Sequence, residues 1–460
     1  MDNQTARTNR LGEERIGKLL KEFSIPAITG MMINALYYVV DSVLIGQFAG
    51  TDALAGVAIT FPFFGVMMAV AMLFGIGSTS LISIHLGQHK REDAEHIAAQ
   101  GMLLLIAVPL LISVVGYIFL DPLLLHIGAT PSILPHARDY LSILLLGSVL
   151  QSISMGMNNY IRADGNPKVA MQTMIIGAVM NAILGVLFIG VFRWGTKGAA
   201  VATVIAWGIS AAWVLHYFFS GQSELKIHAK RLMPNKHWIL KIVAIGSAPF
   251  ALQIAISIVT VILNNSLIYY GGLLPIQKGG ELAVSVMGAV SRFSMLIMMP
   301  IFGINQGAQP IIGYNYGAQK FDRVRKTLKL AIIAASIIAI GGFIIVTIFA
   351  KQLMMAFNKD DVEFIKLGTN VLRIYMLLLP IVGFQIVSSN YFQAIGKPMK
   401  AMVLSLSRQI LIFIPLVFIL PNIGNWGLYG VIWAGPLSDL LATVLTGIMI
   451  FVEMKNLSKK

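Results

Sequence analysis

The sequence predicts an all-α membrane protein with twelve transmembrane helices in two pseudo-symmetric six-helix lobes. Its 460 residues are 57% hydrophobic and 12% charged, with a mean hydropathy of +0.79, whereas soluble proteins are about one quarter charged. The apolar residues are gathered into segments long enough to cross a bilayer, and motifs of the first half return in the second. The composition therefore indicates a membrane protein, and the internal repeat indicates two related lobes.

The apolar segments number twelve and are separated by short polar connectors. A helix needs about 20 apolar residues to cross the hydrocarbon core, so each segment is predicted to be one span. Residues 1–22 are polar and charged, so we expect no signal peptide and expect the first span to be retained. The candidate spans are 24–47, 53–83, 95–119, 137–161, 169–192, 198–219, 239–270, 282–312, 328–350, 367–392, 399–420 and 427–452.

The basic residues predict the orientation of these spans. With twelve spans, both termini and every even-to-odd connector lie on one side, and that side holds 24 Lys and Arg residues against seven on the other. The positive-inside rule assigns the richer side to the cytoplasm. We therefore expect a multi-pass protein of a bacterial or archaeal cell (inner) membrane with both termini cytoplasmic.

An internal repeat divides the chain. Asn159-Tyr160-x-x-Ala163-x-Gly165-x-Pro167 returns 231 residues later as Asn390-Tyr391-x-x-Ala394-x-Gly396-x-Pro398, and Trp194-Gly195 returns as Trp426-Gly427. Six spans per copy give both copies the same orientation, as in alternating-access transporters. The predicted parts are a cytoplasmic N-terminal segment (1–23), an N-lobe (24–220), a basic linker (221–238), a C-lobe (239–452) and a cytoplasmic tail (453–460).

Charge and motifs exclude several classes of protein. The formal charge of +14 is explained by the excess of Lys and Arg on the predicted cytoplasmic side of the membrane. No nucleic-acid partner is therefore expected. The absence of cysteine excludes thiolate metal sites and cysteine nucleophiles. Gly12-x-x-x-x-Gly17-Lys18 has Leu19 where a P-loop requires Ser or Thr. We predict no enzyme, no catalytic residues, no metal centre and no cofactor.

Asp41 is the most informative polar residue within the spans. Placing an ionisable side chain at mid-bilayer costs about 2.5–3.5 kcal/mol, so such a residue is usually functional. At helical spacing Asp41 shares one face with Asn34, Tyr37 and Tyr38. A carboxylate removed from water suits reversible protonation or cation binding. The alternative is a structural carboxylate held by neighbouring hydroxyls and amides. In the second repeat the matching stripe is uncharged and consists of Ser257, Thr260 and Asn264.

Other polar residues in the spans allow two interpretations each. Asn158, Asn181 and Thr203 could complete a cluster around Asp41, or could join neighbouring helices. Asp439 could serve a C-lobe site, but pairing with Arg408 or Arg292 is favoured because buried charges are usually paired. The candidate substrate cavity is lined by Asn34, Tyr38, Gln253, Ser257, Thr260, Asn264, Met287 and Arg292.

These features together resemble the multidrug and toxic compound extrusion (MATE) transporters, from about Ser24 to Phe451. The stretches that carry the resemblance are Ser24-Ile25-Pro26, Tyr37-x-x-x-Asp41, Arg162-Ala163-x-Gly165-x-Pro167 with its repeat, and Met180-Asn181-Ala182-Ile183-Leu184. The resemblance implies a monomeric antiporter that exports drugs and toxic organic cations across the lipid bilayer in exchange for H⁺ or Na⁺. The chain looks like the DinF-like branch, which implies that Asp41 is the coupling carboxylate, with Tyr37, Asn158, Asn181 and Thr203 around it.

One position departs from that branch. The branch usually carries a second Asp four residues after the fifth-span Asn, where this chain has Gly185. A Na⁺ site at Asp41, Asn181 and Thr203 would then lack a strong ligand, so H⁺ coupling is favoured. The alternative function is a flippase for a lipid-linked saccharide or another lipid-like substrate. Such proteins usually have extra spans and a cationic cavity, for which this chain offers Arg292, Arg373 and Arg408.

Overall fold

The computed structural model describes residues 5–48, 51–127, 129–424 and 426–457, and this part of the chain is helical without any strand. Short π-helical segments follow α8 (Val186–Val191) and α15 (Ser407–Phe413). The α-helices are α1 (Thr5–Glu13), α2 (Ile16–Phe48), α3 (Thr51–Ile59), α4 (Phe61–Gly87), α5 (Arg91–Ile118), α6 (Leu120–His126), α7 (Leu134–Ala163), α8 (Pro167–Gly185), α9 (Gly195–Phe219), α10 (Lys236–Gly272), α11 (Gly279–Gly317), α12 (Phe321–Met355), α13 (Val362–Tyr375), α14 (Leu379–Ala394), α15 (Pro398–Leu406), α16 (Ile414–Ile419) and α17 (Gly427–Leu457).

The predicted spans correspond to these helices. Ten of the described helical segments are long and apolar enough to cross a membrane, and α13 with α14 forms an eleventh as a pair bent by 48°. The remaining predicted span, 24–47, lies within α2. The all-α prediction is therefore confirmed, and α2 begins eight residues before the predicted span, so the end of the predicted segment 1–23 is helical.

Two predicted spans are broken, and proline explains where. The span 53–83 divides into α3 and α4, and Pro62 lies in the first turn of α4. The span 367–392 divides into α13 and α14, and Pro380 lies in the first turn of α14. Proline is tolerated in a first turn because its missing N–H would have no partner there.

The repeated motif forms the same turn twice. Gly165 has φ +82° and Gly396 has φ +73°, in the left-handed region that favours glycine. In each copy a proline then begins the next helix, Pro167 in α8 and Pro398 in α15. The sequence repeat is therefore a repeat of helix–turn–helix geometry, as pseudo-symmetric lobes require.

The lobes meet on the predicted cytoplasmic side. Helix α4 packs against α10, and α2 packs against α11. A Cβ added at Gly246 of α10 would overlap the Leu73 carbonyl of α4, and one added at Gly307 of α11 would lie 2.7 Å from the Ser24 nitrogen of α2. These backbones are close because glycine leaves them room, as is common between membrane helices. Gly87 and Gly317, the last residues of α4 and α11, make the same kind of approach: a Cβ added at either would lie 2.0 Å from a carbonyl oxygen of the other helix. The lobes are therefore in contact at the ends of these helices that we predict to be cytoplasmic.

The predicted linker 221–238 is fastened to the N-lobe. The Gln100 side chain of α5 donates to the Met233 carbonyl (2.7 Å) and accepts from the Asn235 backbone N–H (2.9 Å). At the end of α7, Asp164 accepts hydrogen bonds from the Glu224 backbone N–H of the linker (3.1 Å) and from the Tyr217 hydroxyl (2.6 Å). Burial raises the pKa of the Asp164 carboxyl to about 7, against an ordinary value of 3.8. The connector is thus an ordered part of the lobe surface.

Candidate functional site

Asp41 lies on α2 and is buried, with 7% of its surface exposed. Its Oδ1 atom has no hydrogen-bond partner among the residues that the structure describes. A buried carboxylate oxygen without a donor is costly, since burial removes its charge from bulk water. Such a group is suited to accept a proton or a cation, which is the chemistry predicted from the sequence.

The register of α2 against α8 places Asp41 at the same depth as Asn181. The two helices run in the same direction and pack together. A Cβ added at Gly30 would lie 2.6 Å from Met174 Sδ, and one added at Gly185 would lie 3.3 Å from Leu44 Cδ1. Because both helices advance about 1.5 Å per residue, Asp41 falls near the level of residues 182–183. Asn181 is therefore at the depth of the carboxylate.

Asn181 and Thr203 form a hydrogen-bonded pair between α8 and α9 at this depth. The Asn181 side-chain amide donates to Thr203 Oγ1 (3.0 Å), and that hydroxyl donates to the Ala199 carbonyl (2.9 Å). Both side chains are buried. The structure thus brings together two of the predicted partners of Asp41, from α8 and α9.

An apolar cluster lies next to this polar group, one turn further along α2. Ile45 of α2 is fully buried in it, together with Ile189 of the π-helical segment and Tyr140 of α7. Ile45 lies four residues after Asp41, towards the end of α2 that we predict to be external. The sequence did not single out Tyr140, because an aromatic residue near a span end is common and its depth beside α2 is set by packing between helices.

Asn158 does not join the predicted cluster. Its side-chain amide donates to the Ala170 carbonyl at the start of α8 (2.8 Å). Ala170 lies about 16 Å along the helix axis from Asn181. Asn158 therefore ties α7 to α8 near the predicted cytoplasmic side, which corrects its predicted place beside Asp41. The side chains of Tyr37 and Tyr38 lie outside the described part of the structure.

The candidate substrate cavity is partly assembled. Ser257 and Thr260 are exposed on α10, and their hydroxyls donate to the Gln253 and Ile256 carbonyls of the same helix. A Cβ added at Gly65 of α4 would lie 3.9 Å from Ser257 Oγ, so the two lobes face each other at this level. The half-buried cavity candidates are Asn34, Gln253 and Asn264.

Met287 and Arg292 differ from the other cavity candidates. Met287 is 3% exposed and packs in the hydrophobic core of the C-lobe. It does not line the space between the lobes in this structure, which corrects the prediction. Arg292, which lies further along α11, is exposed. Helical spacing could not separate a core methionine from a cavity methionine, because both lie on apolar faces.

The other deep acid, Asp439, is paired as expected. Arg408 Nε donates to Asp439 Oδ1, and Asp439 is 6% exposed. Arg408 lies in the π-helical segment Ser407–Phe413. By the repeat offsets, the N-lobe carries Gly177 and Trp207 at the equivalent positions. The C-lobe pair is therefore not the repeat counterpart of Asp41. The acid of the C-lobe is paired with an arginine, whereas Asp41 Oδ1 has no partner in the described part of the structure.

Comparison with known proteins decides the family. A family model described as MatE matches residues 26–187 and 257–419, which is more than half of the chain. The chain belongs to the MatE family. This confirms the resemblance to the MATE transporters, which are membrane transporters.

Relatives and solved structures agree with the family. The multidrug export protein MepA of Staphylococcus haemolyticus (strain JCSC1435) is 24% identical over 439 residues, covering 95% of this chain and 94% of the relative. A structure described as the outward-facing conformation of a multidrug resistance MATE family transporter has a TM-score of 0.91 at 24% identity, covering 98% of both chains. A transporter of the MOP superfamily from Pyrococcus furiosus has a TM-score of 0.92 at 24% identity and full coverage of both chains. These likenesses show the two-lobe, twelve-helix fold.

Proposed function

We propose that this transporter exports amphipathic, mainly cationic drugs in exchange for a cation, with Asp41 as the coupling carboxylate. The observation that carries the proposal is the buried Asp41 oxygen without a described partner, at the level of Asn181. The family and the multidrug export function named for the MepA relative support the substrate class. The exposed hydroxyls of Ser257 and Thr260 support a substrate path between the lobes.

The proposed cycle uses the charge state of Asp41 as its switch. The substrate binds while the carboxylate is ionised. Protonation from the external side removes the charge, rearranges α2 and releases the substrate, and the lobes then close externally. No covalent bond forms, and the rate is set by lobe motion. The proton acts because it binds one arrangement of the lobes better than the other.

We propose H⁺ as the coupling ion. A Na⁺ ion at this position would have the oxygens of Asp41, Asn181 and Thr203 as ligands, with one negative charge among them. Gly185 faces Leu44 of α2, and the branch that the chain resembles usually carries a second carboxylate at this position, so a Na⁺ site here would lack a strong ligand. One carboxylate alone is enough to carry a proton.

A Gly185→Asp substitution is expected to make export respond to Na⁺. The new Cβ would lie 3.3 Å from Leu44 Cδ1, the movable end of a side chain, so the carboxylate fits with a small adjustment. We expect an imposed Na⁺ gradient to raise drug export several-fold in this variant and to leave the wild type unchanged. Gly190→Asp is the matched control, because it places a carboxylate further along the same segment, near Phe48. An equal Na⁺ response in both variants, or in neither, would contradict the proposed geometry.

Transport in reconstituted vesicles tests the proposed function itself. We expect a cationic dye to be exported under a pH gradient while a lipid-linked saccharide in the same vesicles is not translocated. The flippase alternative requires free cations in the cavity, and Arg408 is held by Asp439. Translocation of the saccharide without dye export would overturn the proposal in favour of that alternative.

We also propose that the protein acts as a monomer in the cell membrane with both termini in the cytoplasm. The 24 basic residues of that side, against seven on the other, support the orientation. The hydrophobic core of the N-lobe also contains Ile242, Ile245, Ile311 and Tyr314 of the C-lobe, so the two lobes pack together within one chain, which supports a single chain as the working unit.

A further inference from the structure

We propose that a cationic cavity between α2 and α12 binds the phosphate headgroup of an anionic phospholipid from the cytoplasmic leaflet. The cavity has a volume of about 800 Å³. Its lining includes five basic residues, against the two carboxylates of Glu13 and Asp322. The basic residues are Arg15, Lys18, Lys21, Arg323 and Lys326.

Three of these cations are not neutralised within the protein. Arg15, Lys21 and Lys326 make no side-chain hydrogen bond or ion pair with another residue in the described part of the chain. All three are exposed. Like charges that converge on one cavity repel each other, so an anion placed among them is stabilised by all three.

The other two cations give the cavity its shape. Arg323 donates to the carbonyls of Leu11 (3.0 Å) and Glu14 (2.6 Å), which fixes the end of α1 against α12. Lys18 pairs with Glu14. Arg323 and Lys18 therefore bind the segment before α2. The three cations without described partners lie around this fixed segment.

The start of α2 adds donors for a phosphate. Ile16 and Gly17, the first residues of this 33-residue helix, line the cavity together with the cations. A Cβ added at Gly17 would meet no atom within 4 Å, so the first turn is open to a ligand. The first backbone N–H groups of a helix have no partners within the helix and favour an anion.

The position of the cavity favours a lipid over a soluble anion. Lys21 lies three residues before the first predicted span and Lys326 two residues before the ninth, which is the depth of lipid headgroups. Leu330 also lines the cavity. Ile25 lies one turn after Lys21 and is 60% exposed, and Ile333 lies one turn after Leu330 and is 44% exposed, so helical spacing offers the acyl chains apolar surface on both helices.

The site bridges the two lobes, because α2 belongs to the N-lobe and α12 to the C-lobe. A bound headgroup therefore favours the arrangement in which the lobes are closed on the cytoplasmic side, since separation would divide its ligands. This consequence rests on the proposed alternating access, whereas lipid binding itself does not.

Native mass spectrometry of the purified protein with added phosphatidylglycerol or phosphatidylcholine tests the site without any transport measurement. We expect phosphatidylglycerol to be retained preferentially by the wild type. The triple variant Arg15→Gln, Lys21→Gln, Lys326→Gln is expected to lose that preference at least tenfold. The matched triple variant Lys226→Gln, Lys230→Gln, Lys236→Gln removes the same charge from the linker and is expected to behave as the wild type.

Two results would overturn the proposal. One is equal phosphatidylglycerol retention by the two triple variants. The other is displacement of phosphatidylglycerol by millimolar inorganic phosphate, which would show a site for soluble anions. If the cavity variant does not fold, Lys326→Gln alone, at an exposed side chain, is expected to lower the preference about threefold, and an unchanged preference there would also overturn it.

Discussion

Asp41→Asn is expected to abolish gradient-driven drug export. The substitution keeps the shape of the side chain and removes its ability to lose or gain a proton. A cation that no longer binds one arrangement of the lobes better than the other cannot shift their populations, so the gradient no longer drives the cycle. Export of a cationic dye from vesicles under imposed pH and Na⁺ gradients measures this directly.

The stability of the Asp41→Asn variant separates loss of coupling from loss of structure. Because Asp41 Oδ1 has no described partner, we expect its replacement to leave the thermal unfolding temperature within a few degrees of the wild type. Asp360→Asn is the matched control, because it removes an exposed carboxylate in the connector between α12 and α13. It should export at the wild-type rate. Wild-type export by Asp41→Asn under either gradient would contradict the role proposed for this residue.

Asp439→Leu is expected to give the largest loss of stability in the C-lobe. The substitution leaves Arg408, which is half-buried, charged and without its partner. Breaking a buried ion pair typically costs about 3–5 kcal/mol in the free energy of unfolding, and the 30% exposure of the Arg408 side chain places the expected cost at the lower end of that range. Denaturant unfolding of the protein in mixed micelles measures the change.

The double variant Arg408→Met, Asp439→Leu identifies the cause. Replacing both partners with apolar side chains leaves no unpaired charge, so we expect it to recover most of the stability lost by Asp439→Leu. Glu281→Leu breaks an exposed pair with Lys278 and should cost less than about 1 kcal/mol. A double variant less stable than Asp439→Leu would show that the pair has another role.

The features that the sequence predicts well are those coded along a single helix. Hydropathy located the spans, because each apolar segment must be about as long as the bilayer is thick. The repeated Gly-x-Pro motif predicted the two related lobes, and in the structure it forms two equivalent turns, in which Gly165 and Gly396 have the left-handed conformation and a proline begins the next helix. The depth of Asp41 within α2 followed from counting residues.

The features that the sequence does not predict depend on how helices lie against one another. Asn158 and Asn181 are both polar residues within spans, and only the register of α7 on α8 shows that Asn158 meets Ala170 instead. Met287 lies on a face that the C-lobe core covers. The convergence of Lys21 and Lys326 on one cavity requires contact between the first and ninth spans, which no local pattern encodes.

Proton movement during drug transport tests most directly the claim that Asp41 couples the two. In vesicles with equal pH on both sides, a drug gradient is imposed and the internal pH is followed with a trapped dye. We predict that drug flow through the wild type drives protons in the opposite direction, and that drug flow through Asp41→Asn moves none. Proton movement of wild-type size in Asp41→Asn would contradict coupling through this carboxylate.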